Sequence, residues 1–256
     1  MLIGIGGTAI TKPGGVAAAF NPQSISGLFV WLKGDVGVTA DGSNFVSAWA
    51  DQSGSGNNFT QATGGLKPLL TANAQNSKPA IVFDGINDYM LTGSITFGEW
   101  SMFAVCSKNW GTATYSGLWR HGFTTNAGRG FFTSGAANYD WQASEFIAVG
   151  NGYLAGQKPL IAGPHSNPTN GSYQLISAGV GTSSFLRRNG SSIARFTANL
   201  AGTSASDVFA IGTFNSVYAS DFWVGGIAEL LMYNSVLSAG NISKVEDYLK
   251  AKWATP

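Results

Sequence analysis

Cysteine and charge are both scarce in this 256-residue chain, and each scarcity removes a class of reading. The one cysteine, Cys106, sits in the apolar run SMFAVCSK with no second thiol to bridge it. A disulfide is therefore excluded, and a small buried core residue is expected. Charged residues make up 11% of the chain, against roughly 25% in ordinary soluble domains. The net charge is +1 and no basic cluster exceeds the pair Arg187–Arg188. Nucleic acid and anionic lipid would thus find no electrostatic hold. No stretch approaches the roughly 18 apolar residues in a row that membrane insertion needs. The two histidines, His121 and His165, lie far apart in sequence with no His-x-x-x-His spacing, so both are expected in loops or half-buried rather than on a metal. A Gly-x-Ser-x-Gly elbow and a phosphate-cradling Gly-x-x-x-x-Gly-Lys-Ser/Thr loop are missing as well.

What the chain does have is glycine, 35 residues of it, among abundant Ser, Thr and Asn. A neutral polar surface follows, whose natural partners are uncharged: glycans or other subunits. Short runs rich in Val, Ile, Phe, Tyr, Trp and Thr recur between Gly/Asn/Ser/Pro clusters and predict many antiparallel strands. They include 28–32, 80–83, 101–107, 129–134, 172–179, 207–214 and 221–233. Asn189-Gly190, between SFLRR and SSIARF, is the signature of a type I′ hairpin turn, because both central residues need positive φ. Only the last twenty residues read as a helix. Ile242, Val245, Leu249 and Trp253 recur near helical spacing, Ser238 can cap the start, and Glu246 stands four residues before Lys250. Sequons at Asn58, Asn170, Asn189 and Asn241 arise readily by chance in such a composition.

The opening segment, MLIGIGGTAITKPGGVAAAF, lacks the basic start and unbroken apolar stretch of a signal peptide. Its Gly-x-Gly-x-x-Ala spacing has no strand of useful length before it, Pro13 and Gly14 behind it, and no acid about 20 residues on, so no dinucleotide site is expected. Residues 1–23 read as an extended, uncharged arm before one domain over 24–256. Leu2, Ile3, Ile5, Ile10, Val16 and Phe20 are too apolar for a solvated tail, and the arm is expected to lie against another subunit of an assembly, a homo-oligomer or a larger particle.

The order of LFVWLKGD, FVSAWADQSGSGNNFTQ, KPAIVFDGINDYM and FWVGGIAELLMYNSVLSAGNISKVEDYLKAKW resembles the laminin-G-like branch of the concanavalin A-like lectin/glucanase superfamily, over most of residues 28–253. The resemblance implies an all-β, concanavalin A-like jelly-roll sandwich of two antiparallel sheets with a short C-terminal helix. Such domains are common in phage structural and bacterial surface proteins. In that pattern Asp51 and Asp84 are turn organisers, and Trp31, Trp49 and Trp253 are core. Because some members hold calcium at such loops, Asp51, Asp84 and Asp88 are the candidates for an ion. The rhythm of Asp51, Ser53, Ser55 and Gly56 opens like a helix–loop–helix calcium site, but the closing position is Ala62 instead of glutamate.

Glycan cleavage needs two carboxylates. Glu99, Asp140, Glu145, Asp221 and Glu229 are scattered, and Glu229, alone in an apolar strand, reads as a paired structural carboxylate. The aromatics say more. Trp110, Tyr115, Trp119, Tyr139 and Trp141, with Asp140, lie among Asn, Thr and Arg, the mixture that stacks on and hydrogen-bonds a neutral sugar. These readings predict a non-catalytic module of a virion or, alternatively, of a bacterial cell surface. It would serve structure and decoration, with glycan attachment as a further role, no enzymatic activity and no required cofactor. The alternative reading is a glycan-cleaving enzyme of the same superfamily, its carboxylates gathered from separate strands.

Overall fold

In the computed structural model the described residues are 19–109, 115–122, 129–134, 146–151, 160–162, 169–197, 205–213 and 221–256. Arm residues 1–18 and Trp110, Tyr139, Asp140, Trp141, Glu145 and His165 lie outside them, as does the side chain of Tyr115.

The strands are, in chain order, β1 (Leu28–Lys33), β2 (Val38–Ala40), β3 (Val46–Trp49), β4 (Phe59–Thr60), β5 (Leu69–Gln75) and β6 (Lys78–Asp84). There follow β7 (Met90–Phe97), β8 (Trp100–Cys106), β9 (Tyr115–His121), β10 (Arg129–Ser134), β11 (Phe146–Asn151) and β12 (Leu160–Ala162). The last are β13 (Gln174–Val180), β14 (Phe185–Arg188), β15 (Ser191–Ser192), β16 (Ala194–Thr197), β17 (Ala205–Ile211) and β18 (Val224–Tyr233), before the helix α1 (Ala239–Trp253). They form two antiparallel sheets. One runs β15-β14-β13-β8-β18-β6-β5 with β1 also on β18; the other runs β16-β12-β11-β10-β9-β17-β7-β4-β3-β2. This is the jelly-roll sandwich that the sequence predicts.

β18 shows why. At ten residues it serves β6 with Val224–Ile227 and β1 with Glu229–Tyr233, while β8 lies along its other edge. Ile227, Leu230 and Met232 point into the core between the sheets, and Ala228, Leu231 and Tyr233 into a second core beneath α1. A strand covered on both faces is apolar nearly throughout. Gly225 and Gly226 make this possible: a Cβ on Gly226 would fall 1.9 Å from the Tyr173 hydroxyl and one on Gly225 2.1 Å from the Ser107 carbonyl.

Ser238 caps α1 by accepting from the Asn241 N–H, and Ile242, Val245, Leu249 and Trp253 are buried on the sandwich. The expected Glu246–Lys250 pair does not form. Both side chains leave the helix for the hairpin: Arg187 pairs with Glu246 at 2.8 Å, and Lys250 Nζ donates to the Asn189 carbonyl at 2.6 Å. That hairpin has its predicted turn, with φ of 51° at Asn189 and 84° at Gly190. Residues at the end of the expected arm are already part of the body. Pro22 is buried, its carbonyl accepts from the Tyr233 hydroxyl, and Gln23 Nε2 donates to the Gln52 carbonyl. Cys106 is buried, as expected.

Candidate functional site

Four of the acids singled out in the sequence take contrasting settings. Asp51 sits between β3 and β4, where its Oδ1 accepts from the Trp31 and Ser53 N–H groups and its Oδ2 from the Ser53 hydroxyl and the Asn57 N–H. Four donors occupy this carboxylate, which ties the turn to β1. Asx-type bonding of this kind is the structural role expected of it. Among the described residues no three His, Cys, Asp or Glu side chains gather around a common point.

Glu229 is fully buried beneath α1. Its Oε1 accepts from Trp31 Nε1 and the Tyr248 hydroxyl, and its Oε2 from Lys252 Nζ and Trp253 Nε1, all within 2.7–2.8 Å. Lys252 also reaches Asp35 at 2.9 Å. The reading of Glu229 as a paired structural carboxylate holds: it pins the helix to the sheet and has no lone pair to spare.

Asp84 and Asp88 differ from both. Asp84 ends β6 and is exposed; its Oδ1 accepts from the Ile86 and Asn87 N–H groups, which folds the chain back through Gly85 at φ 76°. Asp88 is almost enclosed and accepts from the Asp84 N–H at 3.0 Å. Burial, with the neighbouring Asp84 charge adding to it, pushes the Asp88 carboxyl up to about 6, and the hydrogen bond from Asp84 opposes the shift.

The sheet pairing shows what surrounds this turn. Val224 pairs with Asp84, and the Val224 carbonyl accepts from the Asn109 N–H. The half-buried Tyr89 ring stacks on Phe222 with centroids 6.5 Å apart. Ser116 at the start of β9 donates to the Phe222 carbonyl, and Gly117 N–H donates to that of Asp221. Tyr115 pairs with Ser134, and Ser134 with Phe146. The strand ends that lead into segments 110–114 and 135–145, where Trp110, Tyr139, Asp140 and Trp141 belong, are therefore neighbours of one another and of 221–224. The described part of this end presents Asp84, Asn87, Tyr89, Asn109 and Asp221. Asp88 was singled out in the sequence as an ion candidate only, and Tyr89 was not separated from the FDGINDYM motif; an aromatic directly after an Asx turn was the available signal.

Trp119 does not join them. It is fully buried, edge-on to Trp100 at 5.0 Å and stacked on Phe209 at 5.1 Å, with Nε1 2.9 Å from the Met102 sulfur. Both faces of its ring are lost to a sugar. The reason is position: β9 lies between β10 and β17, deep in the larger sheet, and burial there overrides the polar neighbours in the sequence. His121 departs in the same way from the expected loop or half-buried setting. It is 1% exposed, its Nε2–H donates to the Ile95 carbonyl, and its ring lies 4.4 Å from that of Phe97.

Solved structures of the same fold are numerous, at low identity. The Trypanosoma rangeli sialidase in complex with sialic acid matches with a TM-score of 0.58 and 13% identity, over 90% of this chain and 34% of that one. Domain 4 of AbnA, a GH43 extracellular arabinanase from Geobacillus stearothermophilus, solved in complex with arabinotriose, matches with a TM-score of 0.57 and 14% identity, over 87% of this chain and 98% of that one. An arabinofuranosidase complexed with arabinofuranosyl-α-1,2-xylobiose gives a TM-score of 0.58 and 16% identity, over 90% and 60%. The chain thus spans about a third of the sialidase. No protein-family model matches the chain, and no curated protein does. Identities this low show a shared fold: a β-sandwich of the kind found in glycan-acting proteins. They also correct the expectation of a non-catalytic, non-enzymatic assembly module, because these three fold neighbours are glycosidases or a domain of one. The sequence offered no paired carboxylates on one strand, and that local criterion cannot see acids brought together by a turn.

Proposed function

We propose that this chain is a laminin-G-like sandwich that takes part in glycan cleavage, with the saccharide held at the end formed by 84–89 and 221–224. The observation that carries the reading is the fold shared with a sialidase, an arabinofuranosidase and an arabinanase domain that holds an arabinose oligomer. The local chemistry supports it. Tyr89 offers a half-buried ring on a rigid Phe222 backing, suited to the C–H face of a sugar. Asp84, Asn87, Asn109 and Asp221 supply oxygen and amide groups for its hydroxyls. Breaking a glycosidic bond needs a carboxylic acid that keeps its proton near neutral pH and a second carboxylate that has lost one. Among the described acids Asp88, pushed up to about 6 by burial, comes nearest to the first condition, and the exposed Asp84 stands beside it. Glu229, with four donors, is reserved for the fold.

The test is a panel of arabinan, arabinoxylan and sialylated glycans, scored for release of reducing ends or free sialic acid and for retention of the protein on each immobilised glycan. Release from at least one member is expected. Retention without release would leave the grip to this chain and the cut to another domain. Neither retention nor release would overturn the proposal.

A further inference from the structure

The hairpin that grips α1 carries chemistry that neither the fold nor glycan cleavage requires. An asparagine followed by glycine can modify itself. The glycine nitrogen attacks the side-chain amide carbon, ammonia leaves as a five-membered imide closes, and water opens the imide to aspartate or to isoaspartate, whose backbone is one methylene longer. Glycine favours the attack because it has no Cβ to obstruct it. The chain holds this pair at 151–152, 170–171 and 189–190. At 170–171 the attacking nitrogen is committed, since the Gly171 N–H donates to the Lys108 carbonyl at 3.1 Å. At 189–190 the ladder closes at Arg188–Ser191, which leaves the Gly190 N–H outside it. There the electrophile is held instead. Asn189 Nδ2 donates to Gln174 Oε1 at 2.7 Å, and its Oδ1 accepts from the Leu175 N–H at 2.9 Å.

We propose that Asn189 is a site of self-deamidation, latched by β13 and released when the hairpin lifts from it. Closing the imide expels Nδ2 as ammonia, which carries off the Gly190 proton, so the Gln174 bond has to break. The amide carbon is drawn onto the Gly190 nitrogen in the same step, and the Leu175 bond has to yield with it. The change is one-way and falls on the fastening of α1. Lys250 Nζ donates to the Asn189 carbonyl at 2.6 Å, and Arg187, the partner of Glu246, also donates to the Gly190 carbonyl. Isoaspartate lengthens a turn of two residues and misaligns these carbonyls, while aspartate offers Gln174 no N–H.

The test follows conversion of residue 189 from amide to acid by mass, in mildly alkaline buffer, in the full chain folded and in the full chain unfolded by guanidinium chloride. The folded chain should convert more than about tenfold slower, the ratio expected when the hairpin is lifted in under about a tenth of molecules. Gln174→Ala removes the acceptor and should speed the folded chain about two- to tenfold, the factor one hydrogen bond supplies, with the unfolded rate unchanged. Gln174→Glu keeps an acceptor at that place and should stay slow. The fraction converted at residue 189 alone, isolated by ion exchange, should unfold at a lower urea midpoint. Equal rates folded and unfolded, no conversion in the unfolded chain, no gain in Gln174→Ala, an equal gain in Gln174→Glu, or an unchanged midpoint after conversion would each overturn the proposal.

Discussion

Glu229 under the helix and Asp88 at the turn after β6 are both buried carboxylates, yet they are supplied very differently. Glu229 receives four hydrogen bonds, one of them from a lysine. Asp88 receives its bond from the Asp84 N–H, stands beside a second carboxylate, and holds its proton up to about 6. A buried acid with its full complement of donors is a fastening. One left short of donors keeps reactivity, and the turn that carries it faces the strand ends of the aromatic segments. The helix side is built for stability and the turn end for chemistry.

The largest effect is expected on the helix side. Glu229→Gln leaves Lys252 without its buried partner and should destabilise the fold by about 3–5 kcal/mol, read from the urea midpoint. A loss under about 1 kcal/mol would show that the four bonds do not act as a hub. Gly190→Val strikes the hairpin that grips α1. With φ at 84° and Lys250 Nζ 3.1 Å from the added Cβ, a loss of about 1–2 kcal/mol is expected, and an unchanged melting temperature would remove the hairpin from the fastening.

Much of the helix side was legible in the sequence and little of the turn end was. The Asn-Gly turn, the Ser238 cap, the stripe of Ile242 to Trp253 and the isolation of Glu229 in an apolar strand are local signals, fixed by φ, spacing and hydrophobicity, and each appears in the structure. Trp119 was misread because its burial depends on which strands flank β9, a long-range fact absent from the surrounding residues. Lys250 and Glu246 were misread because tertiary partners outbid a helical neighbour. The nearness of Tyr89 to Phe222 spans over a hundred residues of chain and needs the sheet order to be seen.

A smaller effect separates the two acids by pH. Between the free carboxyl value of 3.8 and about 6 the folded chain holds a proton on Asp88 that the unfolded chain has released. Stability therefore falls as pH rises through that window and is fullest below it. Asp88→Asn keeps an acceptor for the Asp84 N–H and abolishes the fall. Near pH 8 it should melt above the native protein, by on the order of 1 kcal/mol after allowance for solvent screening, and the advantage should vanish near pH 4. A pH-independent difference would deny Asp88 its shifted proton. Smallest is Tyr89→Ala, expected to weaken retention on a bound glycan by about 0.5–1.5 kcal/mol without loss of fold. Unchanged retention would place the saccharide away from the Tyr89–Phe222 stack.

The most direct measurement is glycan turnover by three proteins side by side: the native chain, Asp88→Asn at the turn end, and Lys250→Ala on the helix side. Release of product by the native chain, a fall of about 10²-fold or more in kcat/KM for Asp88→Asn and no change for Lys250→Ala is the predicted result. Turnover that survives in Asp88→Asn, or that is lost only in Lys250→Ala, would contradict the division of the molecule into a fastened side and a reactive end.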